Sequence, residues 1–271
     1  MKTRNIVAVI GIPLLLVVLL LLPDYATAIL VAAMSAVGAY ELLYPTKTVR
    51  QIPVVALCSI MGVLVTIWCY SGSSSAFIHP AVIVFVLLLF LFLLKNHTEL
   101  RFDQLCTGYF AGIVLPYLLN ALTRIQLMEQ GRYLILVPFV AAFASDSGAY
   151  FVGCAIGKHK LAPAISPKKT IEGAIGGLAC GILGMLAYAL VLDLAFDLRI
   201  NYLYAVLYGF AGACVCIIGD LAFSVMKRQT GIKDYGNILP GHGGVLDRFD
   251  SMTMVAPVME GFMIWLPIIV K

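Results

Sequence analysis

The sequence predicts an all-α, polytopic membrane protein with about nine transmembrane helices and a cytoplasmic N-terminus. Three observations predict it. The mean hydropathy over 271 residues is +0.99, far above what a soluble domain tolerates. The apolar residues come in runs of about 18–22, the length that crosses a ~30 Å hydrocarbon core. Those runs are continuous rather than alternating, which fits helices that satisfy their own backbone groups and not the strands of a barrel.

The expected spans, in order, are 5–22, 25–44, 53–71, 76–94, 104–122, 133–156, 170–192, 202–226 and 250–270. Lys2 and Arg4 precede the first run, and "ATA" at 26–28 imitates a small-residue cleavage site. The apolar stretch Ile6–Leu22 is longer than a secretory signal's usual core of about 7–15 residues, so a retained helix is expected. Orientation follows from the loops, because basic residues in short loops stay in the cytoplasm. With the N-terminus inside, the inner side holds Lys2, Arg4, Lys47, Arg50, Lys95, Arg101, Lys158, Lys160, Lys168, Lys169, Lys227, Arg228, Lys233 and Arg248. Only Arg124, Arg132, Arg199 and Lys271 fall outside. The net charge of +4 therefore reports topology and contact with anionic membrane lipids, and nothing in it calls for nucleic acid.

Loops within the first half are short connections. After about residue 130 two long basic loops appear, 157–169 and 227–249, and acidic residues enter the apolar segments. Residues 1–130 are therefore expected to form a scaffold of about five helices, and 131–271 a catalytic region of about four. Gly173, Gly177 and Gly181 put a smooth stripe on one helix face, as Gly108 and Gly112 do elsewhere. Such stripes serve helix packing and permit a homodimer without requiring one. Of the seven cysteines all but Cys106 lie in apolar runs, without a CxxC pair, and read as core.

Acidic side chains inside spans are costly and face a cavity or a partner. Asp146 in "FASDSGAYFVG" and Asp220 in "CIIGDLAFS" lie at depths of about 16 and 10 Å below the cytoplasmic surface, from the helical rise per residue. Asp247 and Asp250 begin the last span on one helical face. Each aspartate alone could be a lysine's structural partner, but four together suggest hard-cation coordination, since Mg²⁺ takes oxygen ligands. The loop "KRQTGIKDYGNILPGHGG" adds Lys227, Arg228 and Lys233 as cations, with Gly241, Gly243 and Gly244 to let amides turn toward anionic oxygens. A basic glycine-rich loop also merely obeys the positive-inside rule. The loop "GKHKLAPAISPKKTIEGAIGG" brings Lys158, Lys160, Lys168 and Lys169, then a helix whose first turn includes Thr170 and Glu172. That turn is either an anion site or a simple cap. His242 could contact phosphate, protonate a leaving oxygen or only pack, with phosphate contact ranked first.

The run Ser224, Lys227, Arg228, Lys233, Asp234, Gly236, Leu239, Pro240, His242, Gly243, Gly244, Asp247, Arg248 and Asp250 resembles the full signature of the phosphatidate cytidylyltransferases, or CDP-diacylglycerol synthases. The resemblance extends over about 140–271, including "DSGAYFVG" and "ISPKKTIEG". It implies Mg²⁺-dependent condensation of CTP with phosphatidic acid to CDP-diacylglycerol and pyrophosphate. It further implies a metal centre at Asp220, Asp247 and Asp250, with room for a second cation such as K⁺, and Lys227 beside them in catalysis. Substrate contacts are expected from Asp146, Lys168, Lys169, Thr170, Glu172, Ser224, Arg228, Lys233, Asp234, His242, Gly243, Gly244 and Arg248. The implied setting is the inner membrane, with the site facing the cytoplasm. A CTP-dependent lipid kinase would share the nucleotide loops but release CDP. A secondary transporter would share the intramembrane acids, but paired halves with interrupted helices are not evident.

Overall fold

The structure, a computed structural model, describes residues 2–72, 76–238 and 243–270, with side chains from Gly11 onward. His242, with Leu239, Pro240 and Gly241, lies outside the described residues. Among the described residues, the regular structure apart from one short hairpin is helical. The helices are α1 (Lys2–Leu20), α2 (Asp24–Leu43), α3 (Ile52–Ser71), α4 (Ile78–Lys95), α5 (Phe102–Tyr109), α6 (Leu115–Leu119), α7 (Ala121–Gln126), α8 (Gly131–Leu134), α9 (Leu136–Ile156), α10 (Ile171–Phe196), α11 (Tyr202–Gln229) and α12 (Leu246–Trp265). A π-helical turn at Phe110–Val114 joins α5 to α6. Strands β1 (Lys160–Ala162) and β2 (Ser166–Thr170) pair antiparallel.

Among the described residues, seven segments are long and apolar enough to cross a membrane: α2, α3, α4, Phe102–Gln126, Gly131–Ile156, α10 and α11. The protein is an integral membrane protein. About nine spans are expected from the sequence, and α1 and α12 are the two not among these seven. α1 offers only the apolar stretch Gly11–Leu20 for description, and α12 carries Asp247, Arg248, Asp250 and Glu260.

Two compact units are distinguished, Met1–Glu129 with Gln229–Phe249, and Gln130–Arg228 with Asp250–Lys271. In the first, α2 packs on α3, with the Ser59 hydroxyl donating to Ala36 O at 3.0 Å. A Cβ at Gly112 would come 2.8 Å from the Phe85 ring, so the π turn sits against α4 only because this position is bare. Asn120 Nδ2 donates to Thr66 Oγ1 at 2.9 Å, joining the end of α6 to α3 where no water competes.

In the second unit, glycines let α9, α10 and α11 approach backbone to backbone. Gly177 faces Ser145 O and Ala149, and a Cβ at Gly209 would lie 2.6 Å from Ile182 Cα and 2.7 Å from Gly181 O. The stripe read as a packing face is thus spent within the chain. α12 runs antiparallel along α11: Gly219 meets Ser251, Gly212 meets Met259, and the Tyr208 hydroxyl donates to Leu266 O at 3.0 Å. At its far end Ile269 bridges to Ile200, fastening the tail to the loop between α10 and α11.

The hairpin lies in the stretch expected to be a long basic loop. Its reason is tertiary. Thr170 ends β2 and caps α10, its Oγ1 accepting from Gly173 N at 3.1 Å, and the Glu172 carboxylate accepts from Lys158 N at 3.1 Å and from His159 Nδ1 at 2.6 Å.

Candidate active site

In the second unit, three elements bring charged side chains to one place. β2 presents Lys169, whose ammonium forms an ion pair with Asp220 of α11. One turn further along α11, the Ser224 hydroxyl donates to Asp220 Oδ1 at 3.3 Å, which fixes the carboxylate from the other side. Lys227, three residues on, directs its Nζ to within 3.7 Å of Asp250 Oδ2 on α12. Asp250 also accepts the Ser251 amide at 2.8 Å. Asp250 lies within electrostatic range of Asp220 and Asp146 as well as Lys227.

Asp146 enters from α9. Its Oδ1 receives the thiol of Cys216 at 3.4 Å, and Cys216 stands one turn before Asp220 on α11. Asp146 is exposed on α9 rather than sealed in helix packing. Cys216 is buried, as its apolar run suggested, but it also bridges the two acidic helices.

The remaining expected residues of this unit divide clearly. Lys168 and Arg228 are exposed, and the Arg228 guanidinium holds the hairpin by donating to Ile165 O at 3.2 Å. Thr170 caps α10 through Gly173 N, and the Glu172 carboxylate is engaged by the Lys158 and His159 amides and the His159 ring. Their effect is to hold β2, and so Lys169, against α10.

The first unit contains the turn that opens α12. Asp247 Oδ2 accepts the amides of Tyr235 at 2.8 Å and Gly244 at 2.9 Å. Gly243 has φ +86°, a left-handed conformation that a side chain would strain. Lys233, Asp234 and Arg248 are exposed. The anionic oxygen that the Gly244 amide meets is the protein's own Asp247.

A residue that sequence reasoning missed completes this turn. Glu41 of α2 is fully buried, and its two carboxylate oxygens accept the amides of Val245 at 2.9 Å and Leu246 at 2.8 Å. The signal was available, because Glu41 is an acid inside an apolar span, like Asp146 and Asp220. It stands near the end of the expected span 25–44.

Among the described residues no three His, Cys, Asp or Glu side chains gather closely enough to enclose a metal ion by themselves. Asp220 and Asp250 do fit the hard-donor role that Mg²⁺ requires, since that ion commonly takes one or two carboxylates and completes its shell with water and substrate phosphates.

The sequence pattern of the Cytidylyltransferase family matches residues 2–266. Among curated relatives, the phosphatidate cytidylyltransferase of Bacillus subtilis is 35% identical over 269 residues, covering 96% of each chain. That of Staphylococcus haemolyticus is 32% identical over 264 residues, covering 96% of this chain and 98% of the relative. The Staphylococcus aureus protein of the same name is likewise 32% identical over 264 residues, with the same coverage. With the match running through both units, from α1 to the end of α12, this chain belongs to the cytidylyltransferase family.

Proposed function

We propose that this protein condenses CTP with phosphatidate, giving CDP-diacylglycerol and pyrophosphate in phospholipid biosynthesis. The observation that carries the reading is the pairing of Lys169 with Asp220 and of Lys227 with Asp250, in a chain whose relatives bear the phosphatidate cytidylyltransferase name along nearly their whole length. Family membership favours nucleotidyl transfer over γ-phosphoryl transfer or solute transport.

A non-bridging oxygen of the phosphatidate phosphate attacks the α-phosphorus of CTP. The new P–O bond forms as the bond from that phosphorus to the bridging β-phosphate oxygen breaks, and the electron pair leaves with pyrophosphate. The attacking phosphate is anionic near neutral pH, so no strong base is needed. The task is to hold two anions together and to balance the charge that develops on the leaving group.

Lys169 and Lys227 suit this because each already sits beside a carboxylate and can turn its ammonium to a phosphate. Ser224 orients Asp220. Lys168, Arg228, Lys233 and Arg248 are exposed cations able to gather phosphate oxygens, and Asp146 keeps the surroundings of Asp220 polar. The resemblance adds Asp234, His242, Gly243 and Gly244 on the nucleotide side. Mg²⁺ held by Asp220 and Asp250, with room for a second cation such as K⁺, would supply charge neutralisation at the pyrophosphate; Asp247 is added to the metal centre by the resemblance alone. The excess of Lys and Arg in alternate loops supports a site facing the cytoplasm from the inner membrane. There CTP arrives from water and phosphatidate from the adjoining leaflet.

The reading is tested by pyrophosphate release from the purified protein in detergent. Release is expected only when CTP and phosphatidate are both present, and release of CDP instead would refute it.

A further inference from the structure

We propose that Glu41 is a positioning residue for the reaction, holding the turn at Gly243–Asp247 in the form that sets Asp247. The proposal rests on the cytidylyltransferase reading for what Asp247 does, and on geometry alone for what Glu41 does. The start of α12 has a local deficit. The first amides of any helix lack intrahelical acceptors, and the residue before Leu246 is Val245, whose side chain has no oxygen to cap them. Glu41, 204 residues away in sequence, supplies both oxygens. A fully buried carboxylate is tolerated because two amides and the positive end of a helix receive it.

Two glycines of the signature are explained by the same group. A Cβ at Gly244 would lie 2.5 Å from Glu41 Oε1, and one at Gly236 would lie 2.7 Å from it. Neither φ at Gly236 nor at Gly244 is positive, so these positions are bare to admit Glu41 rather than to relieve backbone strain. Tyr235 and Gly244 are then drawn together on Asp247 Oδ2. Glu41 and Asp247 thus close the base of the loop from two sides. The Glu41 carboxylate receives backbone amides and acts on the chemistry through Asp247.

The test compares wild type, Glu41→Gln and Glu41→Asp, purified in detergent. Gln presents one oxygen and one NH₂ group to two amide donors, so one hydrogen bond is replaced by a donor–donor clash. In Glu41→Gln, amide hydrogen exchange within 243–247 is expected to quicken by about tenfold, with kcat reduced by about tenfold or more and KM for CTP changed by less than about threefold. Glu41→Asp, keeping two acceptor oxygens, is expected to recover part of both. Faster exchange at wild-type kcat would make Glu41 a structural clamp only, and unchanged exchange would show that it does not hold the turn. Either result overturns the proposal. Should Glu41→Gln fail to fold, Gly236→Ala displaces the same carboxylate with Glu41 intact and is read by the same two measurements. Wild-type protein that makes no CDP-diacylglycerol would refute the proposed function instead, while the exchange comparison would still report on the clamp.

Discussion

Lys227 Nζ lies 3.7 Å from Asp250 Oδ2, and the two side chains are only 11% and 12% exposed. A buried pair of this kind is worth little as a source of stability, but removing one partner strands the other. Lys227→Met is expected to lower stability by about 3 kcal/mol or more and to abolish turnover. Adding Asp250→Asn should restore much of the stability and none of the turnover. Thermal unfolding in detergent, set beside CDP-diacylglycerol formation, checks both halves.

Asp220 and Lys169 should behave differently, because both are about a quarter to a third exposed and their attraction is partly screened. Asp220→Asn is expected to leave unfolding within about 1 kcal/mol of wild type while reducing turnover by about a hundredfold or more. Near-normal turnover of both Asp220→Asn and Asp250→Asn at saturating Mg²⁺ would remove the metal assignment.

Much of this was legible in the sequence, and what was not has physical causes. Apolar runs locate helices because a span must satisfy its own backbone, and so α2, α3, α9, α10 and α11 were each expected within a few residues of their observed ends. The broken span over 102–126 was read as one helix, because a π turn leaves no mark on hydropathy. The hairpin was missed because its strands are held by Thr170 and Glu172 rather than by β propensity. Asp146, Asp220, Lys227 and Asp250 stood out as charges where charge is costly. Glu41 obeys the same rule, but its partners are backbone amides some two hundred residues on, and no residue type announces an amide.

Asp146→Ala should impair catalysis or CTP binding while the protein still inserts into the membrane, because it removes a charge close to Asp220 and the acceptor of the Cys216 thiol. Asp146→Leu should be at least as stable as wild type, since an acid inside a span is costly and is replaced by an apolar group. Membrane fractionation, unfolding and the KM for CTP separate these outcomes. Wild-type kinetics in both variants would show that Asp146 serves the fold alone.

The most direct measurement follows label from CTP into lipid, using purified protein, phosphatidate and Mg²⁺. With the α-phosphate labelled, the label is predicted to enter the lipid fraction as CDP-diacylglycerol. With the γ-phosphate labelled, it is predicted to appear only in pyrophosphate. Both should stop with EDTA and resume when Mg²⁺ is restored. Label from the γ-phosphate in lipid, or no transfer from the α-phosphate, would contradict the account.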